Sequence, residues 1–350
     1  MIKPLTSLRF FFALMVFVSH LDFFIKGNSS LLKNFYSKYL YEGFIGVSFF
    51  FILSGFILSY KYQDKILNKE VNNSQFWLAR FARIYPLHLV TLLISLPLVL
   101  NEWFVNQIKF IVKFIINLFL LQSFFPQRTV HYAFNSPSWS ISTEAFFYLI
   151  FPFVIYWISG LNKKLFSLLV LLIFLTILII KIIPADWQHY IVYVNPFMRS
   201  VDFLIGVGLF NVYKFILRKD LKLHYNFIEF FSLILLILFF AFHNWVPEVY
   251  RYSVYYWLPM SFIIFSFAFQ KGIISKLLSN KLLFTGGEIS YGFYMYHQLV
   301  LRYFSRIFIL ENHIISMTFI IFLLTLFLSY ISYKYLEKPL NIYLRNRYYN

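Results

Sequence analysis

A chain of 350 residues that is 60% hydrophobic, only 13% charged and has a mean hydropathy of +0.70 has little room for a soluble domain. Many of its apolar runs reach the about 20 residues that a spanning helix needs, so the composition points to a polytopic, all-α integral membrane protein, one domain over 1–350. No cysteine occurs, which excludes disulfides, thiolate metal sites and a cysteine nucleophile, and a net charge of +17 in such a chain records inner-face Lys and Arg rather than a nucleic-acid partner.

Thr6 to Phe24, TSLRFFFALMVFVSHLDFF, is the first apolar span. It is longer than a signal-peptide core and lacks a small-residue cleavage site after it, so a retained first helix is expected. It holds one arginine and one histidine, Arg9 and His20. Eleven positions at about 100° each return to within roughly 20° of the same helix face, so the two share a line. Ionisable residues inside a span are costly and usually face a bundle interior. The alternative is that Arg9 anchors at the inner interface and His20 is a satisfied interior hydrogen bonder.

Next comes GVSFFFILSGF, 46–56, whose Gly46, Ser54 and Gly55 suit close helix packing more than a substrate path. FWLARFARIYP, 76–86, sets Arg80 and Arg83 one turn apart before the third span. Two planar guanidiniums on one face can fork onto phosphate oxygens, although inner-interface anchoring is the more common explanation for basic residues at this depth. In NSPSWSISTEAFFY, 135–148, Glu144 lies about one turn inside a span and needs a partner. His20 is one candidate, held by the carboxylate in the tautomer whose other nitrogen accepts a proton, and Arg199 is the other. GGEISYGFYMYHQLV, 286–300, carries Ser290, Tyr291, Tyr294 and His297 at helical spacing, a polar seam that either lines a cavity or stitches helices. YLEKPLN ends the last span at Pro339, with Glu337 and Lys338 expected as a stop and anchor.

Apolar spans fall near 6–25, 43–60, 84–100, 108–125, 140–159, 165–183, 197–214, 226–244, 253–270, 290–310 and 314–335. If every one crossed, the cluster at Lys214, Arg218, Lys219 and Lys222 would lie opposite Lys61, Lys65, Lys69, Arg80 and Arg83, against the positive-inside rule. If 108–125 does not cross, these clusters join Lys3, Lys163, Lys164, Lys334, Lys338, Arg345 and Arg347 on one side. Lys26, Lys33, Lys38, Arg128 and Arg251 then occupy the opposite loops. The expectation is about ten transmembrane helices, one re-entrant or interfacial helix at 108–125, and both termini cytoplasmic. No G-x-S-x-G elbow, phosphate loop, H-E-x-x-H or Cys/His metal spacing is present, and no metal is expected.

Taken together and in order, these stretches resemble integral-membrane acyltransferase family 3, which includes O-acetyltransferases of bacterial surface polysaccharides. Arg9 and His20 match its Arg-x10-His pair, FFFILSGF its F-x-L-S-G-F run and FWLARFARIYP its R-x-x-R-I-x-P segment. SWSISTEAFFY is similar to its W-S-x-x-x-E-x-x-F-Y stretch and ISYGFYMYHQLV to its I-S-Y-x-x-Y-x-x-H run. The resemblance implies a ten-crossing multi-pass protein of the bacterial plasma membrane and a cytoplasmic acyl-CoA donor, acetyl-CoA above all. It also implies an acceptor hydroxyl on the far side, in a surface glycan or glycolipid, and a need for Arg9, His20, Arg80 and Arg83. Two departures stand out. Ala79 and Phe81 flank Arg80 where the family often has a further arginine, and the chain ends at Asn350 without the extracytoplasmic esterase-like domain of some members, so acceptor recognition is expected from loops or a partner.

The expected mechanism keeps the donor phosphates at the basic inner face, near Arg80, Arg83 and Arg9, with Tyr291 and His297 beside the donor, while the pantetheine arm threads outward. His20 is the expected general base on the acceptor hydroxyl and Glu144 its orienter. His131, Tyr132, Trp187 and His189 in the outer loops suit sugar contacts or an interfacial belt. The rival class is a transporter or flippase for an anionic or glycan-linked substrate, since buried charges also mark substrate paths.

Overall fold

The computed structural model describes residues 2–158 and 162–349, with the side chains of 158, 162–164 and 344–349 outside that description. Lys163, Lys164, Arg345 and Arg347 of the expected inner-face set, and Asn350, therefore lie outside the described side chains. The described residues form helices and turns only. Eight segments are long and apolar enough to cross a membrane: Lys3–Lys26, Ser30–Leu67, Asn73–Leu98, Ser138–Trp157, Leu165–Ile182, Pro196–Arg218, Tyr225–Trp245 and Leu310–Tyr343. The chain is a multi-pass, all-α integral membrane protein.

The main helices are α1 (Lys3–Ser19), α2 (Gly46–Leu67), α3 (Asn73–Ser95), α4 (Gln107–Leu118), α5 (Ser138–Ile158) and α6 (Asn162–Ile182). They continue with α7 (Pro196–Arg218), α8 (Tyr225–Phe242), α9 (Val254–Ala268), α10 (Ile273–Leu278), α11 (Lys281–Ile307), α12 (Ile314–Ser332) and α13 (Lys338–Tyr349). The spans expected at 253–270 and 290–310 are thus α9 and α11. α9 has 15 residues and carries Pro259, and α11 has 27 but is polar along one side, so neither counts among the eight. The 108–125 stretch holds α4, whose 12 residues cover about 18 Å, well short of a hydrocarbon core of roughly 30 Å. Its Asn106 cap accepts the Lys109 amide at 2.9 Å, while Ile108, Ile111, Val112 and Ile115 remain exposed.

Two compact units are formed by the described residues. One comprises 1–12, 45–74 and 146–287, the other 13–44, 75–145 and 288–350. In the first, α2 and α7 meet backbone to backbone. A Cβ added at Gly55 would stand 2.0 Å from the Phe203 carbonyl oxygen, and one at Gly206 2.0 Å from that of Ile52, so both positions require the missing side chain. Asn195 caps α7 by accepting the Phe197 and Met198 amides, with Pro196 preset at the first helical position. Fully buried Arg199 pairs with Asp202 one turn on at 3.3 Å, donates to Ser48 Oγ at 2.8 Å and donates to the Tyr252 carbonyl at 2.5 Å. That is the partner Arg199 takes. Further along, buried Glu229 of α8 accepts the Gly272, Ile274 and Ser275 amides, which leaves α10 capped from a neighbouring helix.

In the second unit, Gly43 lets its loop touch the end of α1, since a Cβ there would lie 1.9 Å from the Met15 carbonyl oxygen. α3 ends in carbonyls without intrahelical partners, and α11 supplies the donors. Tyr303 donates to Ile94 O at 2.7 Å, and Arg306 to Pro97 O at 3.1 Å and to Leu98 O. Arg302 holds the carbonyl of Phe134, a buried residue turned to positive φ, and Asn135 beside it donates to Met295 O at 3.0 Å. Those bonds fix α11 against the stretch that precedes α5.

Candidate active site

α1 ends at Ser19, one residue before the histidine that its sequence singled out. The His20 amide therefore turns back to Phe17 O at 3.1 Å and leaves the Val16 carbonyl without its usual i+4 amide. Side chains fill the vacancy: Ser19 Oγ donates to Val16 O at 2.8 Å, and His20 Nδ1 lies 2.8 Å from the same oxygen. Because a carbonyl only accepts, it holds the proton on Nδ1. Tyr36 donates to Ser19 O at 2.6 Å and secures the turn. Arg9, half-buried on the same helix, belongs to the first unit, as His20 belongs to the second.

The polar seam of α11 is buried: Ser290, Tyr291, Tyr294 and His297 are each less than a tenth exposed. Tyr291 donates to Ile84 O at 2.6 Å, which ties α11 to the R-x-x-R turn of α3. Tyr294 shares a 2.7 Å hydrogen bond with Ser140 of α5, a turn before Glu144, and the Glu144 charge acts on the Tyr294 phenol. His297 comes to His20, with ring centroids 5.0 Å apart and Nε2 3.4 Å from His20 Nδ1. Asp22, two residues on, brings a carboxylate near His20.

Arg80 is half-buried on α3, and Arg83 sits 3.5 Å from Glu337 with its guanidinium 5.8 Å from the Tyr291 ring centre. Glu337 is 4% exposed and closes the π-helical turn Tyr333–Glu337 between α12 and α13. Read from sequence as a stop and anchor, this carboxylate instead lies inside the unit beside Arg83. Outside the spans, burial pushes the His131 imidazole below its ordinary range, and its Nδ1 donates to Phe125 O at 3.0 Å. Burial also pushes the Tyr132 phenol up. His131 is thus enclosed by its own loop, whereas Trp187 is half exposed and His189 rests against Tyr193 and Tyr252.

The family model described as the acyltransferase domain, acyltransferase 3, matches residues 3–334. The chain belongs to this acyltransferase family. It is 40% identical to Acyltransferase MdmB of Streptomyces mycarofaciens over 158 residues, 43% of this chain and 38% of that protein. It is 25% identical to O-acetyltransferase OatA of Staphylococcus aureus over 329 residues, 87% of this chain and 53% of that protein. The chain spans about half the length, or less, of these relatives, and no solved structure matches it.

For a member of this family, the sequence left three contacts unseen: the Val16 carbonyl, Ser140 and Glu337. Backbone carbonyls carry no sequence signal. Ser140 offered one, standing one turn before Glu144 in SWSISTE, and Glu337 offered another as a carboxylate within an apolar run. Among the described residues no His, Asp or Glu group gathers in a metal-holding cluster.

Proposed function

We propose that this protein transfers an acyl group, acetyl first, from cytoplasmic acyl-CoA to a hydroxyl of an extracytoplasmic surface polysaccharide or glycolipid, with 1–350 acting as one domain of the bacterial plasma membrane. Family membership supports acyl transfer. The observation that carries the His20 role is the 2.8 Å contact of Nδ1 with Val16 O, which leaves Nε2 as the ring's proton acceptor. Nε2 takes the acceptor hydroxyl proton as that oxygen bonds to the thioester carbonyl carbon. The carbon–sulfur bond then breaks, CoA leaves as a thiolate, and the imidazolium proton goes to that thiolate.

Arg80 and Arg83 of the second unit are the residues we assign to the donor phosphates, with Arg83 sharing its charge between phosphate and Glu337, and Arg9 of the first unit is a further residue we expect activity to need. Glu144 acts in this scheme through Tyr294, whose phenol shares a hydrogen bond with Ser140 and whose carbonyl meets His297. The test is turnover in proteoliposomes given radiolabelled acetyl-CoA and glycan fragments. Alkali-labile label in the glycan, lost in His20→Ala, is the expected result. Movement of glycan or donor without a new covalent bond would overturn the proposal in favour of transport.

A further inference from the structure

Two carbonyls set the protons of two facing imidazoles. His297 is 1% exposed, and its Nδ1 lies 2.6 Å from the carbonyl of Tyr294, one turn back on α11. His20 Nδ1 lies 2.8 Å from Val16 O. An oxygen with lone pairs at either distance requires N–H on the nitrogen that meets it, so both neutral rings carry their proton on Nδ1. His297 Nε2 is then bare, and it faces the Nδ1–H of His20 at 3.4 Å. The other possible arrangement, His297 Nε2–H donating to a bare His20 Nδ1, would leave two lone-pair contacts against carbonyl oxygens.

Packing holds His297 in place. Phe17, two residues before the end of α1, meets its ring edge to face at 6.4 Å, and Phe17 in turn meets Phe293 and Phe322. Tyr294, whose carbonyl takes the His297 proton, is itself fixed by Ser140.

We propose that His297 is the positioning residue for His20: a neutral imidazole whose bare Nε2 is the second acceptor for the His20 Nδ1–H. This rests on the reading of His20 as the base. In the ground state the pair of acceptors, Val16 O and His297 Nε2, keeps His20 Nε2 unprotonated and fixes the ring plane. When Nε2 takes the substrate proton, the same two acceptors face the remaining N–H of the imidazolium. In Ser-His-Asp sites a carboxylate faces that second N–H, and here a neutral ring does so without adding a buried charge. The role differs from donor binding, which the sequence suggested for His297, because it acts on kcat and leaves donor affinity alone.

The test uses the full chain in lipid nanodiscs. With 15N-labelled histidine, two-bond correlations between ring protons and ring nitrogens report each tautomer, assigned by the signals lost in His20→Gln and His297→Gln. Protonated Nδ1 and bare Nε2 in both rings is the expected result, and Nε2–H in either ring overturns the proposal. In turnover, His297→Phe keeps a ring but no lone pair and is expected to lower kcat about 10- to 100-fold, the range for losing an outer-shell partner of a functional histidine, with KM for acetyl-CoA within about twofold. His297→Gln, whose Oε1 accepts, is expected to recover part of the loss. Unchanged kcat in His297→Phe, or a rise in KM with kcat intact, overturns it. Full activity in His20→Ala would sink the base itself, an outcome the tautomer measurement does not mimic.

Discussion

Arg83, which we propose as a donor-phosphate residue, has a buried carboxylate beside it. Glu337 stands 3.5 Å away, the Tyr291 ring lies below the guanidinium, and only 23% of the Arg83 side chain is exposed. Removing one member of a buried pair costs on the order of 3–5 kcal/mol, because the other charge is stranded. Glu337→Gln and Arg83→Ala should therefore both lower the thermal midpoint in detergent, and Arg83→Lys should recover only part of it. Arg80→Ala should act differently, raising KM for acyl-CoA about tenfold or more with the midpoint held, since a charge-assisted phosphate bond contributes about 1.5–3 kcal/mol. Equal KM for acyl-CoA and dephospho-acyl-CoA in the wild type would remove the 3′-phosphate from this account. At His20, replacement by Ala should cost the 10²- to 10⁴-fold (approximately) typical of a general base, with donor binding retained. Glu144→Gln should cost less, and the double variant little more than His20→Ala if the two act as one unit.

At the scale of elements, α10 is capped from α8, by the Glu229 carboxylate and by Asn226 Oδ1, which accepts the Ile273 amide at 2.9 Å. Glu229 of α8 takes three amides of the 272–275 turn and the Ser275 hydroxyl, and a Cβ on Gly272 would sit 2.1 Å from that carboxyl group. Six residues make too short a helix to stand alone. Glu229→Ala and Gly272→Ala should each open the 270–280 loop, read as faster limited proteolysis there than at other loops; an unchanged cleavage pattern would mean that α10 is held by something other than the cap. This contact also explains what the sequence could not disclose. Arg9, His20 and Glu144 stand out from apolar surroundings, so the sequence singled them out by contrast alone. Gly55 was legible as a packing residue because small side chains in spans have few other uses. Glu229, Glu337 and His297 drew no such reading, or a different one, because their roles depend on partners tens or hundreds of positions away: Gly272 for the first, Arg83 for the second and His20 for the third. Where α1 stops was equally hidden. A helix one residue longer would have given Val16 O its ordinary amide and left the His20 ring without that acceptor.

For the whole molecule, the number of crossings decides which loops share a face. Eight segments have the length and apolarity to cross, and α9 and α11 bring the count to ten if both cross. α9 is short at 15 residues, about 22 Å of helix. α11 is long enough at 27, and its polar seam is turned to buried partners in its own unit, which is how a span tolerates such residues. α4 is the exception. At about 18 Å it cannot bridge the core, its Lys113 pairs with Glu102 at 2.7 Å at the near end, and its exposed Ile108, Ile111, Val112 and Ile115 suit a helix lying along the interface. In the proposed ten-crossing topology the even count would return both termini to one side, and the positive-inside rule would then put the Lys and Arg of the 61–83, 214–222 and 271–281 stretches on the side of Lys3. Accessibility tags placed after Gln107 and after Gln127 should then report from the same side, opposite to tags at Lys69 and Lys219. Tags on opposite sides of α4 would make it a crossing helix, move the 214–222 cluster to the face opposite Arg80 and Arg83, and overturn the proposal that a cytoplasmic donor meets those arginines.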